Sequence, residues 1–119
     1  EVKHSIFLND AKAGHFAYVG DSILGGDVNL GAGTKLANLR FLPGEVQIKT
    51  LAGTVGTGLR KFGAIVGDSV QTGGNSVTRP GSLRRPDSFL MPKAAASSGY
   101  HGPRTVIRYV CPDQDDPVL

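Results

Sequence analysis

Residues 7–36, FLNDAKAGHFAYVGDSILGGDVNLGAGTKL, carry a six-residue beat. Phe7, Ala13 and Val19 fall six apart, and after one five-residue step Leu24, Leu30 and Leu36 continue the series. Gly14, Gly20, Gly25 and Gly31 each follow one of these frame residues directly, and a small or β-branched residue stands four places on, at Ala11, Ala17, Val28 and Thr34. The small stripe returns downstream at Ala64, Val70, Ser76, Ser82, Ser88 and Ala94. A period of six matches neither the 3.6 of a helix nor unbroken strand alternation, so it describes a short strand plus a turn, repeated. Three such sides close one coil of about eighteen residues, and stacked coils bury an aliphatic column that no single coil could bury alone. The fold class expected is all-β, a left-handed parallel β-helix of about four coils.

Composition agrees with an architecture that turns often and packs small side chains. The 119 residues include 17 Gly, no Trp, three Tyr and five Phe, too few large side chains for a conventional core. The net charge of +3 is spread along the chain apart from Arg60-Lys61 and Arg84-Arg85. A nucleic-acid surface would be more clustered and more aromatic, so phosphate-bearing small molecules are the better match and no nucleic acid is expected. Cys111 is the single cysteine, which excludes a disulfide framework or a Cys-ligated metal within one chain and suggests the cytoplasm. No stretch approaches the ~20 apolar residues of a membrane helix, and no membrane partner is expected.

The beat divides the chain. Residues 1–93 are read as the β-helix, interrupted at 40–60 (RFLPGEVQIKTLAGTVGTGLR), where Glu45 to Lys49 alternate in strand fashion and suggest a loop or hairpin thrown out of a corner. Residues 94–119 are read as a C-terminal tail, with TVIRYV at 105–110 as a possible edge strand. Because Glu1 opens directly into patterned sequence, the chain is read as a piece of a longer protein whose N-terminal part holds another domain.

Residues 12–40, KAGHFAYVGDSILGGDVNLGAGTKLANLR, and 61–74, KFGAIVGDSVQTGG, closely resemble the acetyltransferase domain of bifunctional glucosamine-1-phosphate acetyltransferase/N-acetylglucosamine-1-phosphate uridyltransferases and related sugar-1-phosphate nucleotidylyltransferases. The resemblance rests on a Gly-His pair, a Tyr-aliphatic-Gly-Asp step, an Asn-aliphatic-Gly-Ala-Gly-Thr run and a later Ala-Asn. It implies transfer of an acetyl group from acetyl-CoA to an amino-sugar 1-phosphate, a homotrimer with sites between subunits, and an N-terminal nucleotidyltransferase domain that would use Mg²⁺. By the same resemblance His15 corresponds to the catalytic base. Lys3, Tyr18 and Asn29 correspond to sugar-phosphate contacts, and Lys61 to a lysine reaching from an adjacent subunit. Ala32, Asn38, Leu39 and Gly74 fall where that family contacts acetyl-CoA. Leu39 replaces the Tyr of the family's Asn-Tyr pair, Gly74 stands where Ser is common, and the connection from Asn38 to Lys61 is far longer.

The residue types suit these roles on general grounds. An amine attacking a thioester must lose a proton, and an imidazole titrating near neutrality can take it. Ammonium groups such as those of Lys3 and Lys61 act as point charges for phosphate, and Asn29 and Asn38 offer both donor and acceptor to sugar hydroxyls and amides. The bland alternatives are a surface His on a corner, solvated lysines, a Tyr packed in a subunit interface and Asn residues serving turns. His4 and His101 lack comparable surroundings. Gly31-Ala32-Gly33 lacks the strand-then-helix setting of a dinucleotide fingerprint. A non-catalytic trimerisation or regulatory β-helix of a nucleotidylyltransferase is the competing function, favoured by Leu39 and the 40–60 insertion.

Overall fold

The structure is a computed structural model that describes residues 1–97 and 101–108. It is an all-β parallel solenoid with three faces, in agreement with the β-helix expected from the beat. The first face stacks β1 (Val2–Lys3), β3 (Tyr18–Gly20), β6 (Lys35–Leu36), β11 (Val77–Thr78) and β14 (Ala95–Ala96). The second stacks β2 (Ile6–Phe7), β4 (Ile23–Leu24), β9 (Ala64–Val66) and β12 (Ser82–Arg84). The third stacks β5 (Asn29–Leu30), β10 (Gln71–Thr72), β13 (Phe89–Leu90) and β15 (Val106–Ile107), with Lys12 bridging to Asn29 above them. All these pairings are parallel.

The chain passes the first face five times among the described residues, so the expected count of about four coils is too low. The missing coil comes from the segment after Pro92, where Ala96 pairs with Thr78 and Ile107 with Leu90. Its inward residues keep the beat, but the intervening small and polar residues hide it. The solenoid therefore runs past residue 93 into strands β14 and β15.

Frame residues project inward and stack in columns. Val19 lies over Leu36 and then Thr78, while Phe7 lies over Leu24, Val66 and Arg84. Val19, Leu24, Val28, Leu36 and Val70 are fully buried. The small stripe fits because the chain turns tightly there, and its hydroxyls close the corners: Ser76 Oγ donates to the Gly73 carbonyl at 2.8 Å and Ser88 Oγ to the Arg85 carbonyl at 2.7 Å. Both bonds reach three residues back, to a carbonyl at the same turn. Corner residues such as Asp10, Asp27 and Asp87 take positive φ, a conformation that Asp and Asn tolerate better than most side chains.

The apolar core is interrupted. One cluster runs from Ala17 to Val70, and a smaller one joins Leu90, Ala94 and Ala96 to Ile107. Between them the inward positions are polar, with Thr34 and Thr72 hydroxyls 2.7 Å apart. Arg84, 4% exposed, donates from Nη2 to the Ser97 carbonyl at 2.6 Å.

The insertion is a β-hairpin, β7 (Gln47–Thr50) against β8 (Gly53–Gly56), antiparallel, with Leu39 bridged to Lys61 at its base. It docks rather than simply projecting: Val46 is fully buried, and a side chain at Gly81, where φ is +78°, would strike the Gln47 carbonyl.

Candidate functional site

The corner between the third and first faces carries His15, Ala32 and Gly74 at equivalent steps of successive coils. Gly33 N–H donates to the His15 carbonyl at 2.9 Å, and Asn75 N–H donates to the Ala32 carbonyl at 2.8 Å. A Cβ added at Gly74 would lie 3.4 Å from that same carbonyl. His15 is exposed, and nothing stands within 4 Å of where a Cβ on Gly14 would be. The imidazole therefore sits on an open corner with a row of small residues below it, a shape that admits an extended ligand along the stack.

Tyr18 stands on the adjoining first face, in register with Lys35. The Lys35 ammonium donates to the Gly33 carbonyl at 2.7 Å, tying this face to the His15 corner. Gly20 explains how Tyr18 meets the next corner, because a Cβ there would lie 2.7 Å from Tyr18 Oη and 2.5 Å from Asn38 Nδ2. The phenol and the amide both close over a residue that must lack a side chain.

The corner between the first and second faces holds Asn38, Asp21 and His4 one above another. Asn38 Nδ2 donates to Asp21 Oδ2 at 2.6 Å, and His4 Nδ1 lies 3.5 Å from Asp21 Oδ1. Lys3 pairs with Gly20 beside this corner, its ammonium 4.0 Å from Glu1. Leu39 and Lys61 are bridged just beyond Asn38. His4, Asp21 and Lys61 line one hollow of about 240 Å³ together with Leu59 and Phe62. Asn29 faces outward on the third face between Lys12 and Gln71.

The fold thus gathers His15, Ala32 and Gly74 on one corner and Lys3, Asn38, Leu39 and Lys61 at another, with Tyr18 between them and Asn29 on a separate face. Sequence reasoning missed Asp21, which orients Asn38, and Lys35, which braces the His15 corner. Asp21 carried one signal, its place directly after Gly20 in the Tyr-Val-Gly-Asp step. Among the described residues no three His, Cys, Asp or Glu side chains come together as a metal site would require, and no helix is long and apolar enough to cross a membrane.

Comparison with known proteins gives the arrangement a context. The chain is 46% identical over 81 residues to a bifunctional sugar-1-phosphate nucleotidylyltransferase/acetyltransferase of Sulfurisphaera tokodaii, a match covering 68% of this chain and 20% of that protein. It is equally similar, 46% over 81 residues, to the bifunctional protein GlmU of Methanococcus vannielii, covering 68% of this chain and 19% of that protein. A putative uncharacterized acetyltransferase of Escherichia coli, YaiX, is 27% identical over 93 residues, 78% of this chain and 40% of its own length. No family model matches the chain. The chain spans about a fifth of the length of the bifunctional relatives it matches, and the resemblance carried by its motifs is to these bifunctional enzymes.

Proposed function

We propose that this chain is an acyltransferase module that N-acetylates an amino-sugar 1-phosphate of the glucosamine 1-phosphate type, using acetyl-CoA. It works in the cytoplasm as the C-terminal part of a sugar-1-phosphate nucleotidylyltransferase and assembles as a homotrimer. The observation that carries the reading is the corner on which His15 stands exposed, directly over the small residues Ala32 and Gly74 at equivalent coil steps. The names of the curated relatives point to the same chemistry.

In this reading the amino group attacks the thioester carbonyl carbon, His15 accepts the proton the nitrogen loses, and the tetrahedral intermediate collapses to the amide. The CoA thiolate leaves and takes up a proton. Lys3, Tyr18, Asn29 and Lys61 hold the sugar phosphate, while Ala32, Asn38, Leu39 and Gly74 flank the acyl donor. Dispersal of these residues over two corners and two faces of one chain supports the trimer, since a second copy is needed to bring both sets around one substrate. Any Mg²⁺ belongs to a nucleotidyl-transfer domain rather than to these coils.

The test is release of free thiol from acetyl-CoA by the full-length protein, with and without glucosamine 1-phosphate. Replacing His15 by Ala should lower turnover roughly 10²- to 10⁴-fold, the usual contribution of a positioned general base. A second reading, a non-catalytic trimerisation or regulatory β-helix, draws on Leu39, which is partly exposed and bridged to Lys61 where the family has Tyr. Absence of sugar-dependent thiol release from the wild-type protein would establish that reading instead.

A further inference from the structure

The inserted hairpin creates a concave surface lined by none of the residues assigned to acyl transfer. Between β7 and the fourth coil lies a cleft of about 310 Å³ into which Arg40, Lys49 and Arg79 all face. It adjoins a hollow of about 440 Å³ that shares Arg40, Arg79 and Pro80 and is walled by Ala37, Phe41 and Val77. Each volume falls in the range of small-molecule sites, roughly 300–1,000 Å³.

The charge of this cleft is one-sided. Three cations line it and no carboxylate does. Arg40 is held in place, its Nη1 donating to the Glu45 carbonyl at 2.8 Å. Lys49 and Arg79 make no side-chain hydrogen bond or ion pair among the described residues. Like charges gathered without a counter-charge repel one another, and a ligand with two or more negative charges relieves that repulsion. Arg and Lys together suit phosphate, the first through its planar fork and the second as a point charge. Beside them Phe41 is fully exposed at the apolar hollow. An uncovered aromatic next to uncommitted cations is the arrangement that stacks a nucleobase while the phosphates are held.

We propose that this cleft binds a nucleotide carrying at least two phosphate charges, its phosphates between Lys49 and Arg79 and its base against Phe41. The shared chemistry has two sources, the nucleotide end of an acyl-CoA and a nucleoside diphosphate such as a sugar nucleotide carries. The cleft shares no residue with the His15 corner, so its binding is measured separately from turnover.

Calorimetric titration of the full chain with adenosine 3′,5′-bisphosphate, uridine diphosphate and adenosine tests it. One or both phosphorylated probes should bind, increasingly weakly as salt rises, and adenosine should not. Lys49→Gln and Arg79→Gln should each weaken binding roughly tenfold or more, and Phe41→Ser roughly tenfold. These side chains are exposed, so the variants should keep the wild-type melting temperature. Preference for the bisphosphate assigns the cleft to the acyl donor, and preference for uridine diphosphate assigns it to a sugar nucleotide. His15→Ala should bind as the wild type does, which separates this site from the fate of the acyl-transfer reading. Failure of both phosphorylated probes at millimolar concentration, or binding that survives the Lys49→Gln/Arg79→Gln double substitution, overturns the proposal.

Discussion

Asn38 donates its side-chain N–H to Asp21 at 2.6 Å across two successive coils, and the same carboxylate has His4 3.5 Å away on its other oxygen. The bond fixes the direction of an amide assigned to the acyl donor, and the coil stacking that sets the Asn38–Asp21 spacing is independent of it. Replacing Asp21 by Gly should therefore free Asn38 without disturbing the corner, because Gly accepts the positive φ that Asp21 holds. The expected result is a several-fold higher KM for acetyl-CoA with a stability change within about 1 kcal/mol. Steady-state kinetics and urea unfolding on the one variant check both halves.

Gly81 controls the hairpin. It lies at φ +78° directly under the Gln47 carbonyl and 3.1 Å, as a Cβ, from Val46. Gly81→Ala should cost about 1–3 kcal/mol through backbone strain and overpacking. It should also lift Val46 from its buried seat and expose residues 40–60 to proteolysis. Intact protection of that segment would mean that the hairpin is held elsewhere.

The Thr78 hydroxyl is buried in the first-face column without a hydrogen-bond partner among the described residues, between Leu36 and Ala96. Thr78→Val keeps the shape and removes the unpaired oxygen, so it should stabilise the protein by about 1 kcal/mol. A urea midpoint unchanged or lowered would show that the hydroxyl is satisfied in solution.

Arg84 adds a pH dependence. Burial lowers its pKa well below the usual arginine value, to about 10, and Nε and Nη1 have no hydrogen-bond partner among the described residues. His101 is also pushed below its usual value of 6.5, first by partial burial and then by the Arg84 charge. The unfolded chain therefore binds a proton at His101 more readily than the folded one. Stability should fall as pH drops through 6.5 towards the lower folded value, and the penalty should be complete below it. Arg84→Met should flatten this acid loss and, by replacing a buried cation with an apolar chain, raise stability at neutral pH by about 1–4 kcal/mol. Thermal melts between pH 5 and 8 on both proteins measure the effect.

The solenoid was legible in the sequence because each side is a local unit. The frame positions Phe7, Ala13, Val19, Leu24, Leu30 and Leu36 repeat the same demand for an apolar residue, and Ala64 to Ala94 repeats the demand for a small or β-branched one. Any single coil therefore states the rule for the next. The rule weakened where the inward residue became Thr78, Arg84 or Ala96, since burial of a polar or small side chain leaves no hydrophobic period, and the fifth coil went unseen for that reason. His15, Tyr18 and Asn38 were legible through motif spacing, which is also local.

Only the tertiary structure decided which of these residues meet. The steps from His15 to Ala32 and from Ala32 to Gly74 differ in length because the second spans the hairpin, yet both land on one corner. Parallel stacking registers coils by hydrogen bonds and ignores how much chain lies between them. The same stacking sets His4, Asp21 and Asn38 in a column, moves Asn29 to another face, and folds the hairpin back so that Arg40, Lys49 and Arg79 share a cleft. Periodicity along a chain can name the side of a coil, but contact between distant coils depends on register, which strand pairing alone establishes.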